Sequence, residues 1–287
     1  VVNDNAYTNL MARHNLRLAA DALAWLAEEE PAAHRRLVRE LAIGDDEAER
    51  WRVTAESMYV PFDSERGIHP QDDSFLEREV WDFEGTPPDR YPLLLHYHPL
   101  VIYRHQVIKQ ADVVLAMFLL SHEFSAEQRQ RNFGYYDPIT TGDSSLSACV
   151  QAILAASIGD EARAAAYFER ALLMDLGDAA GNAADGVHVA STGGVWMALT
   201  YGFLGLSDHG GRLGFDPVLP AAWGRLALRL RFRGRVLAVE ATPGRLRLRL
   251  EEGDALELTV RGGSVGLAPG ATRDVVVPPR GAAGGPG

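Results

Sequence analysis

The 287-residue sequence has almost no lysine or cysteine. It holds one residue of each kind, Lys109 and Cys149, so that 27 of its 28 basic residues are arginine. A single cysteine rules out an intrachain disulfide framework, and no apolar run approaches the roughly 18 residues of a membrane-spanning helix. We therefore expect a cytoplasmic globular protein that does not act in a membrane.

Clusters of positive charge are missing as well. The chain has a formal net charge of −11 and a pI near 5.3, and its arginines are scattered along the sequence. Nucleic acids and anionic membranes bind concentrated basic patches, so neither is expected as a partner. His96, His98 and His105 lie close in sequence but lack a convincing further ligand, so neither a metal nor another cofactor is expected. A small neutral or polar substrate fits this composition better.

What the sequence does contain is a long helical part followed by a short strand-rich part. Helices are predicted at about residues 99–121, 125–133, 144–158, 160–174 and 192–205. Residues 58–92 are predicted to be irregular, and "RLALRLRF" at 225–232 begins a series of period-two strands joined by tight turns. The fold class is thus mainly α with a small C-terminal β domain. We place a helical domain at 1–212, an antiparallel β domain at 213–270 and a tail at 271–287, disordered at its end.

The first candidate site is a pair of hydroxyls at the start of a predicted helix. Ser144 and Ser145 follow Asp143 and precede the apolar stretch "LSACVQAILAAS". The first backbone N–H groups of a helix have no acceptor within it, so hydroxyls placed there make a ready anion site. An ordinary helix N-cap is the alternative. "GDSS" also lies near an esterase signature, but no strand precedes it and no G-x-S-x-G motif occurs, which argues against a serine hydrolase.

The second candidate site is "HVASTGGVW", in which His188 precedes a Ser-Thr-Gly-Gly run that opens another predicted helix. Glycines such as Gly193 let a ligand approach the backbone, and a histidine can donate a hydrogen bond to an oxyanion. This segment is therefore a second place suited to an anion. The alternative is a pair of glycines needed for packing, beside a histidine whose hydrogen bonds are satisfied within the protein.

The lone lysine forms the third candidate site together with the next residue. Lys109 and Gln110 are predicted on a helix with apolar neighbours such as Val107 and Ile108. An ammonium group and an amide in apolar surroundings suit the recognition of hydroxyl groups. A compact ammonium also enters a narrow pocket where the planar guanidinium of arginine would clash. A lysine placed there by chance is the alternative.

Six blocks follow one another along the sequence: "VNDNAYTN" at 2–9, "GIHPQDDSF" at 67–75, "KQADVVL" at 109–115, "YYDPITTGDSSLS" at 135–147, "DGVHVASTGGVWMALTYGFLGL" at 185–206 and "GGRLGFDPVLP" at 210–220. These blocks resemble glycoside hydrolase family 65, which includes phosphorylases of maltose, trehalose, kojibiose and nigerose and related trehalose-cleaving hydrolases. Because the blocks span most of the chain in the family's order, the match is specific.

This resemblance implies part of an (α/α)6 barrel followed by an antiparallel β-sandwich. It also implies inverting phosphorolysis of an α-linked glucose disaccharide to β-glucose 1-phosphate, with inorganic phosphate as co-substrate. Lys109 and Gln110 would then hold hydroxyls of the glucosyl unit. Phosphate would be held by Ser144, Ser145, His188 and the backbone near Gly193. Members of the family are often dimers, so a homodimer of the full-length parent is a further expectation.

The sequence departs from the family in one important respect. The family's general acid is a glutamate in a segment of the form G-P-D-E-Y-H, directly before the block with which this chain begins. We therefore expect a C-terminal fragment that is inactive alone, with its glutamate upstream of Val1. A trehalose-type hydrolase of the same family, with or without phosphate dependence, is the first alternative. A non-enzymatic helical scaffold is the second, suggested by "EARAAAYFERALLMD" at 161–175, although no second copy follows.

Overall fold

A computed structural model describes residues 2–178 and 181–278. The chain divides into two units, one made of residues up to 90 together with 94–107, the other of 91–93 together with residues from 108 onward. The α-helices, in chain order, are α1 (Ala6–Glu29), α2 (Pro31–Leu41), α3 (Glu47–Ser57), α4 (Pro99–Ile102), α5 (Asp112–Leu119), α6 (Ala126–Tyr136), α7 (Ser147–Ser157), α8 (Glu161–Leu172) and α9 (Val189–Met197). In the described part of the chain, no helix combines the length and the apolar character needed to cross a membrane.

The first unit contains α1–α4 and a long irregular segment between α3 and α4. Helix α1 begins at an N-cap, where the Asn5 side chain accepts a hydrogen bond of 2.9 Å from the Thr8 N–H. The irregular segment holds only single helical turns and the two-residue strand β1 (Glu79–Val80), which pairs with β2 (His105–Gln106). The prediction of an irregular stretch before residue 92 is therefore confirmed.

One predicted helix is wrong. The stretch 99–121 forms α4, then β2 and a bend, and only afterwards α5. The reason is a backbone pairing that a helix would prevent, since the Ile108 N–H donates to the Ile139 carbonyl and the Ile108 carbonyl accepts from Thr141, both at 2.9 Å. Apolar residue types therefore predicted a helix where a contact with a distant segment sets the backbone.

The remaining helices of the second unit agree with prediction. Helix α6 starts with a capping box in which Ser125 and Gln128 exchange hydrogen bonds between side chain and backbone. Helix α7 is buried along nearly its whole length, as its apolar sequence indicates. Helix α9 starts three residues earlier than predicted and continues directly into a π-helix, Ala198–Phe203.

The C-terminal part of the second unit consists of two β-sheets. Its strands are β3 (Gly214–Phe215), β4 (Leu226–Phe232), β5 (Arg235–Thr242), β6 (Arg245–Glu252), β7 (Leu256–Val260), β8 (Gly263–Leu267) and β9 (Thr272–Val276). One sheet has the order β4-β5-β6-β9 and the other β3-β7-β8. Apolar side chains of both sheets, such as Leu248 of β6 and Leu258 of β7, share one buried core.

Two details of this part differ from prediction. The short strand β3 runs parallel to β7, so the domain is not purely antiparallel. Strand β9 lies beyond residue 270, where the tail was expected to begin, and pairs with β6 through residues such as Leu246 and Val275. The expected disorder at the end of the tail concerns residues outside the described range. The predicted boundary near 212 lies within the second unit, between its helices and its strands.

Candidate functional site

The first candidate segment is a polar turn that leads into α7. Ser144 begins this turn, and its hydroxyl accepts a 3.3 Å hydrogen bond from the Leu146 N–H while its carbonyl accepts one of 3.0 Å from the Ser147 N–H. Ser144 therefore stabilises the turn, but it is not the N-cap of α7, which is Leu146 and makes no capping hydrogen bond from its side chain. The hydroxyl of Ser145, by contrast, makes no hydrogen bond within the described residues and is half-buried. One hydroxyl shapes the turn and the other is available to a ligand.

A cation on α8 supports the backbone just before this turn. Arg170 donates a 3.1 Å hydrogen bond to the Gly142 carbonyl. Gly142 has a φ of +69°, and a Cβ there would lie 3.0 Å from two guanidinium nitrogens of Arg170. Glycine is favoured here by the left-handed backbone, and its lack of a side chain also leaves room for the arginine.

Lys109 and Gln110 lie in the bend before α5 and contact the turn at Ser144. The Ser147 hydroxyl donates to the Lys109 carbonyl at 3.3 Å, and the Ser144 hydroxyl donates to the Gln110 side-chain oxygen at 3.5 Å. The predicted helical position of Lys109 is wrong, because α5 starts only at Asp112, after Ala111 with φ −76° and ψ 76°. Lys109 is also exposed rather than surrounded by apolar side chains, whereas Gln110 is half-buried.

His188 is the N-cap residue of α9, and its ring is held by Asp175. The ring Nδ1 lies 2.6 Å from one carboxylate oxygen of Asp175, and the His188 backbone N–H donates to the other at 3.0 Å. The hydrogen bond from His188 lowers the pKa of Asp175, more than partial burial raises it. Asp175 is therefore ionised near neutral pH and has charge-assisted contacts with His188.

A hydrogen bond joins the start of α9 to the turn before α7. The buried Ser191, in the first turn of α9, donates from its hydroxyl to the Ser145 carbonyl at 3.0 Å. His188 lies three residues before Ser191 in the same helix start. The two segments that the sequence singled out as suited to an anion are therefore in direct contact.

The two glycines of α9 have different surroundings. A Cβ on Gly194 would lie 2.3 Å from Cys149 Sγ and 2.8 Å from its Cβ, so Gly194 allows α9 to pack closely against α7. A Cβ on Gly193 would meet no atom within 4 Å, and this residue is exposed. The packing alternative thus fits Gly194 but not Gly193. Gly193 is the fifth residue of α9, beyond the first turn with its open N–H groups.

Three segments of the second unit therefore meet through side-chain hydrogen bonds: the bend at Lys109, the turn at Ser144 and the start of α9. The groups available at this junction are mainly donors, among them the Ser145 hydroxyl and the first N–H groups of α9. Partial positive charge at a helix N-terminus and open N–H groups favour an anion. Sequence reasoning missed Asp175 and Ser191. Ser191 lies within the noted Ser-Thr-Gly-Gly run, whereas nothing near Asp175 in the sequence signals its contact with His188.

His98 and His105, which were considered as metal ligands, have other roles in the first unit. The His98 side chain accepts a 3.2 Å hydrogen bond from the Leu100 N–H at the start of α4. His105 Nδ1 lies 2.8 Å from the Val101 carbonyl, and the His105 ring packs edge-to-face with Trp81. Both rings are thus used in local structure.

Comparison with known families identifies the chain. Residues 1–197 match the central catalytic domain of glycosyl hydrolase family 65, and residues 206–267 match the C-terminal domain of the same family. The chain belongs to glycosyl hydrolase family 65. The resemblance seen in the six sequence blocks is thereby confirmed, as is the succession of a helical part and a C-terminal β part.

Several relatives are named as phosphorylases of disaccharides, and others only as uncharacterized glycosyl hydrolases. The chain is 45% identical over 262 residues to an alpha,alpha-trehalose phosphorylase of Geobacillus stearothermophilus, covering 91% of this chain and 34% of the relative. It is 36% identical over 239 residues to a kojibiose phosphorylase of Halothermothrix orenii, covering 83% and 31%. The chain thus spans about a third of the length of the curated relatives it matches.

A solved structure of a putative kojibiose phosphorylase from human microbiome has the same fold. Its TM-score to this chain is 0.84 at 27% sequence identity, and the match covers 96% of this chain and 37% of the other.

Proposed function

We propose that this chain supplies the phosphate-binding and glucosyl-binding parts of a disaccharide phosphorylase of family 65. The observation that carries the proposal is the 3.0 Å hydrogen bond from Ser191 to the Ser145 carbonyl, which brings two donor-rich helix starts together. The named activities of the relatives, on trehalose and kojibiose, support the same reaction class.

Phosphate is placed in this proposal between the turn at Ser144 and the start of α9. The Ser145 hydroxyl, His188 and the open N–H groups of Ala190 and Ser191 would donate hydrogen bonds to its oxygens, and the positive end of α9 would add an attractive field. Ser144 would instead shape the turn, and Gly193 would leave space beside the helix. Lys109 and Gln110 would hold hydroxyls of the glucosyl unit. Because Gln110 already contacts Ser144, the two ligands would lie side by side.

The proposed reaction is an inverting displacement at the anomeric carbon. A phosphate oxygen forms a bond to that carbon on the face opposite the glycosidic oxygen, while the glycosidic bond breaks. A carboxylic acid gives its proton to the departing oxygen. The products are β-glucose 1-phosphate and a free sugar, so phosphate takes the place of water and no further cofactor is needed.

Calorimetric titration of the purified chain with inorganic phosphate and with β-glucose 1-phosphate tests this proposal. We expect both to bind, and Ser145→Ala to weaken both by about tenfold, since a lost hydrogen bond to a charged group costs roughly 1.5 kcal/mol. Lys109→Ala should weaken β-glucose 1-phosphate but not phosphate. Lys109→Arg, which keeps the charge, should not restore it, because the guanidinium has a different shape. Failure of phosphate to bind would contradict phosphorolysis and favour the hydrolase that does not depend on phosphate.

A further inference from the structure

The loop between α8 and α9 holds a carboxylate that contacts His188 twice. Asp175 lies three residues after the end of α8, and its two oxygens bind different groups of His188, the ring Nδ1 at 2.6 Å and the backbone N–H at 3.0 Å. Two contacts from one carboxylate fix both the position of the backbone and the rotation of the ring. Neither Asp175 nor this contact was part of the sequence-based site.

The contact with Asp175 determines which ring nitrogen of His188 is protonated and donates the hydrogen bond. An ionised carboxylate can only accept hydrogen bonds, so Nδ1 must be the donor in the 2.6 Å contact. The other ring nitrogen, Nε2, has no hydrogen-bond partner within residues 2–178 and 181–278. The His188 side chain is 23% exposed, so a ligand can reach the ring.

Asp175 does not act as an ordinary cap of α9. A capping carboxylate accepts from the N–H groups of the second or third helical residue, whereas Asp175 accepts from His188, which precedes the first helical residue. The N–H groups of Ala190 and Ser191 consequently have no acceptor among the described residues. The Asp175 carboxylate thus binds His188 rather than the first turn of α9, and the N–H groups of that turn remain available to an anion.

We propose that Asp175 is the positioning residue of the phosphate site, which holds the His188 ring so that Nε2 is the nitrogen presented to the anion. This inference rests on the proposed function for the identity of the ligand. With Nδ1 held by Asp175, Nε2 donates to a phosphate oxygen when the ring is protonated and accepts from a P–OH group when it is neutral. In metal sites, partners of this kind fix the orientation of the liganding histidines, and their loss typically weakens metal binding 10- to 100-fold. We expect an effect in the same direction for phosphate.

The test uses the full chain labelled with ¹⁵N-histidine. Long-range ¹H–¹⁵N spectra distinguish the two neutral tautomers, and His188→Gln assigns the His188 signals. In the unsubstituted chain we expect the Nδ1–H form, and we expect inorganic phosphate to shift the Nε2 signal. Asp175→Asn should raise the Nε2–H population, because an amide can donate to Nδ1, and should weaken phosphate binding roughly tenfold or more.

A matched control comes from the same loop. Asp178 accepts a 2.9 Å hydrogen bond from the Ala183 N–H and has no contact with His188, so Asp178→Asn removes an equal charge. This variant should leave the tautomer unchanged and phosphate affinity within about twofold of the unsubstituted chain. Circular dichroism of each variant checks that it is folded.

The outcomes separate this inference from the proposed function. An Nε2–H tautomer in the unsubstituted chain overturns the role of Asp175, and this measurement needs no variant to fold. Equal effects of Asp175→Asn and Asp178→Asn on affinity would overturn it as well. If the tautomer is as expected but phosphate shifts no His188 signal, the proposed phosphate site fails, and with it the assignment of Asp175 to that site.

Discussion

The β-rich part of the second unit and the junction at Ser144 are held together in different ways. In the β-rich part, apolar side chains of two sheets meet, and Leu246, Leu248 and Leu250 of one strand are all completely buried. At the junction, three segments are linked by single side-chain hydrogen bonds of 3.0–3.5 Å, from Ser144, Ser147 and Ser191.

Because of this difference, we expect substitutions in one region to affect mainly stability and substitutions in the other to affect mainly ligand affinity. Complete burial of a leucine side chain contributes about 1.5–3 kcal/mol, whereas a typical hydrogen bond contributes about 1 kcal/mol net. Changes at the junction should therefore alter ligand affinity in a protein that stays folded. Changes in the β core should lower stability first and should affect ligands only through unfolding.

The largest expected effect is in the β core. Leu248→Ala should lower the free energy of unfolding by about 2–5 kcal/mol, because it leaves a cavity among completely buried side chains. Urea denaturation followed by circular dichroism measures this. Val276→Ala on the neighbouring strand is the control, since Val276 is 81% exposed, and should change stability by no more than about 0.5 kcal/mol. Equal losses for both variants would contradict the sandwich core.

The two adjacent glycines of α9 allow a test of helix packing next to the junction. Gly194→Ala should lower the free energy of unfolding by about 1–3 kcal/mol, because the added methyl would overlap Cys149 on α7. Gly193→Ala is the matched control and should raise it by about 0.5–1 kcal/mol, since alanine favours the helix and the site is open. Urea denaturation measures both changes. A Gly194→Ala variant more stable than Gly193→Ala would contradict the packing of α9 on α7.

The hydrogen bond between the two helix starts should matter more for binding than for stability. Ser191→Ala should lower the free energy of unfolding by about 0.5–1.5 kcal/mol and should also weaken phosphate binding, because the turn at Ser145 loses its link to α9. Thermal unfolding and phosphate titration measure the two effects. Thr192→Ala is the control, as Thr192 is exposed and, among the described residues, its hydroxyl bonds only to the carbonyl of His188 at the start of its own helix. Unchanged phosphate affinity in Ser191→Ala would show that the hydrogen bond between Ser191 and Ser145 is not needed for phosphate binding.

The smallest expected effect is the pH dependence of the contact between Asp175 and His188. The pKa of Asp175 is lowered in the folded chain, chiefly by the hydrogen bond from His188. The stabilisation is therefore fully present above the unfolded pKa of about 4 and is lost as the pH falls through the lower folded value. Melting temperatures of the unsubstituted chain and Asp175→Asn should converge as the pH falls from about 5 toward 2. A constant difference would show that the contact does not depend on the Asp175 charge.

Sequence patterns predicted the β-rich part well because its structure is local and periodic. In β6, "RLRLRLEE" alternates arginine with leucine, and each leucine is buried. The turns and strand order follow from short hairpins between consecutive strands such as β4, β5 and β6. The return of β9 to the same sheet, the change of sheet between β6 and β7, and the parallel pairing of β3 lacked a local signal.

The candidate site was predicted only in part, because distant contacts determine it. The existence of α7 and α9 was predicted, but α7 starts three residues later and α9 three residues earlier than the sequence indicated. The contact between Ser191 and the Ser145 carbonyl spans 46 residues, and the one between Asp175 and His188 crosses a loop without periodicity. The bend at Lys109 was missed for a similar reason, since the pairing of Ile108 with a distant segment prevails over its apolar neighbours.

The most direct test of the central claim is the location of an inorganic anion in a crystal of this chain. Soaking with tungstate, a heavier analogue of phosphate, gives an anomalous signal that marks the anion independently of any assumed model. We predict a peak within hydrogen-bond distance of the Ser145 hydroxyl and His188 Nε2, at the start of α9, which phosphate removes by competition. A strong peak elsewhere, with none between Ser145 and His188, would contradict the account.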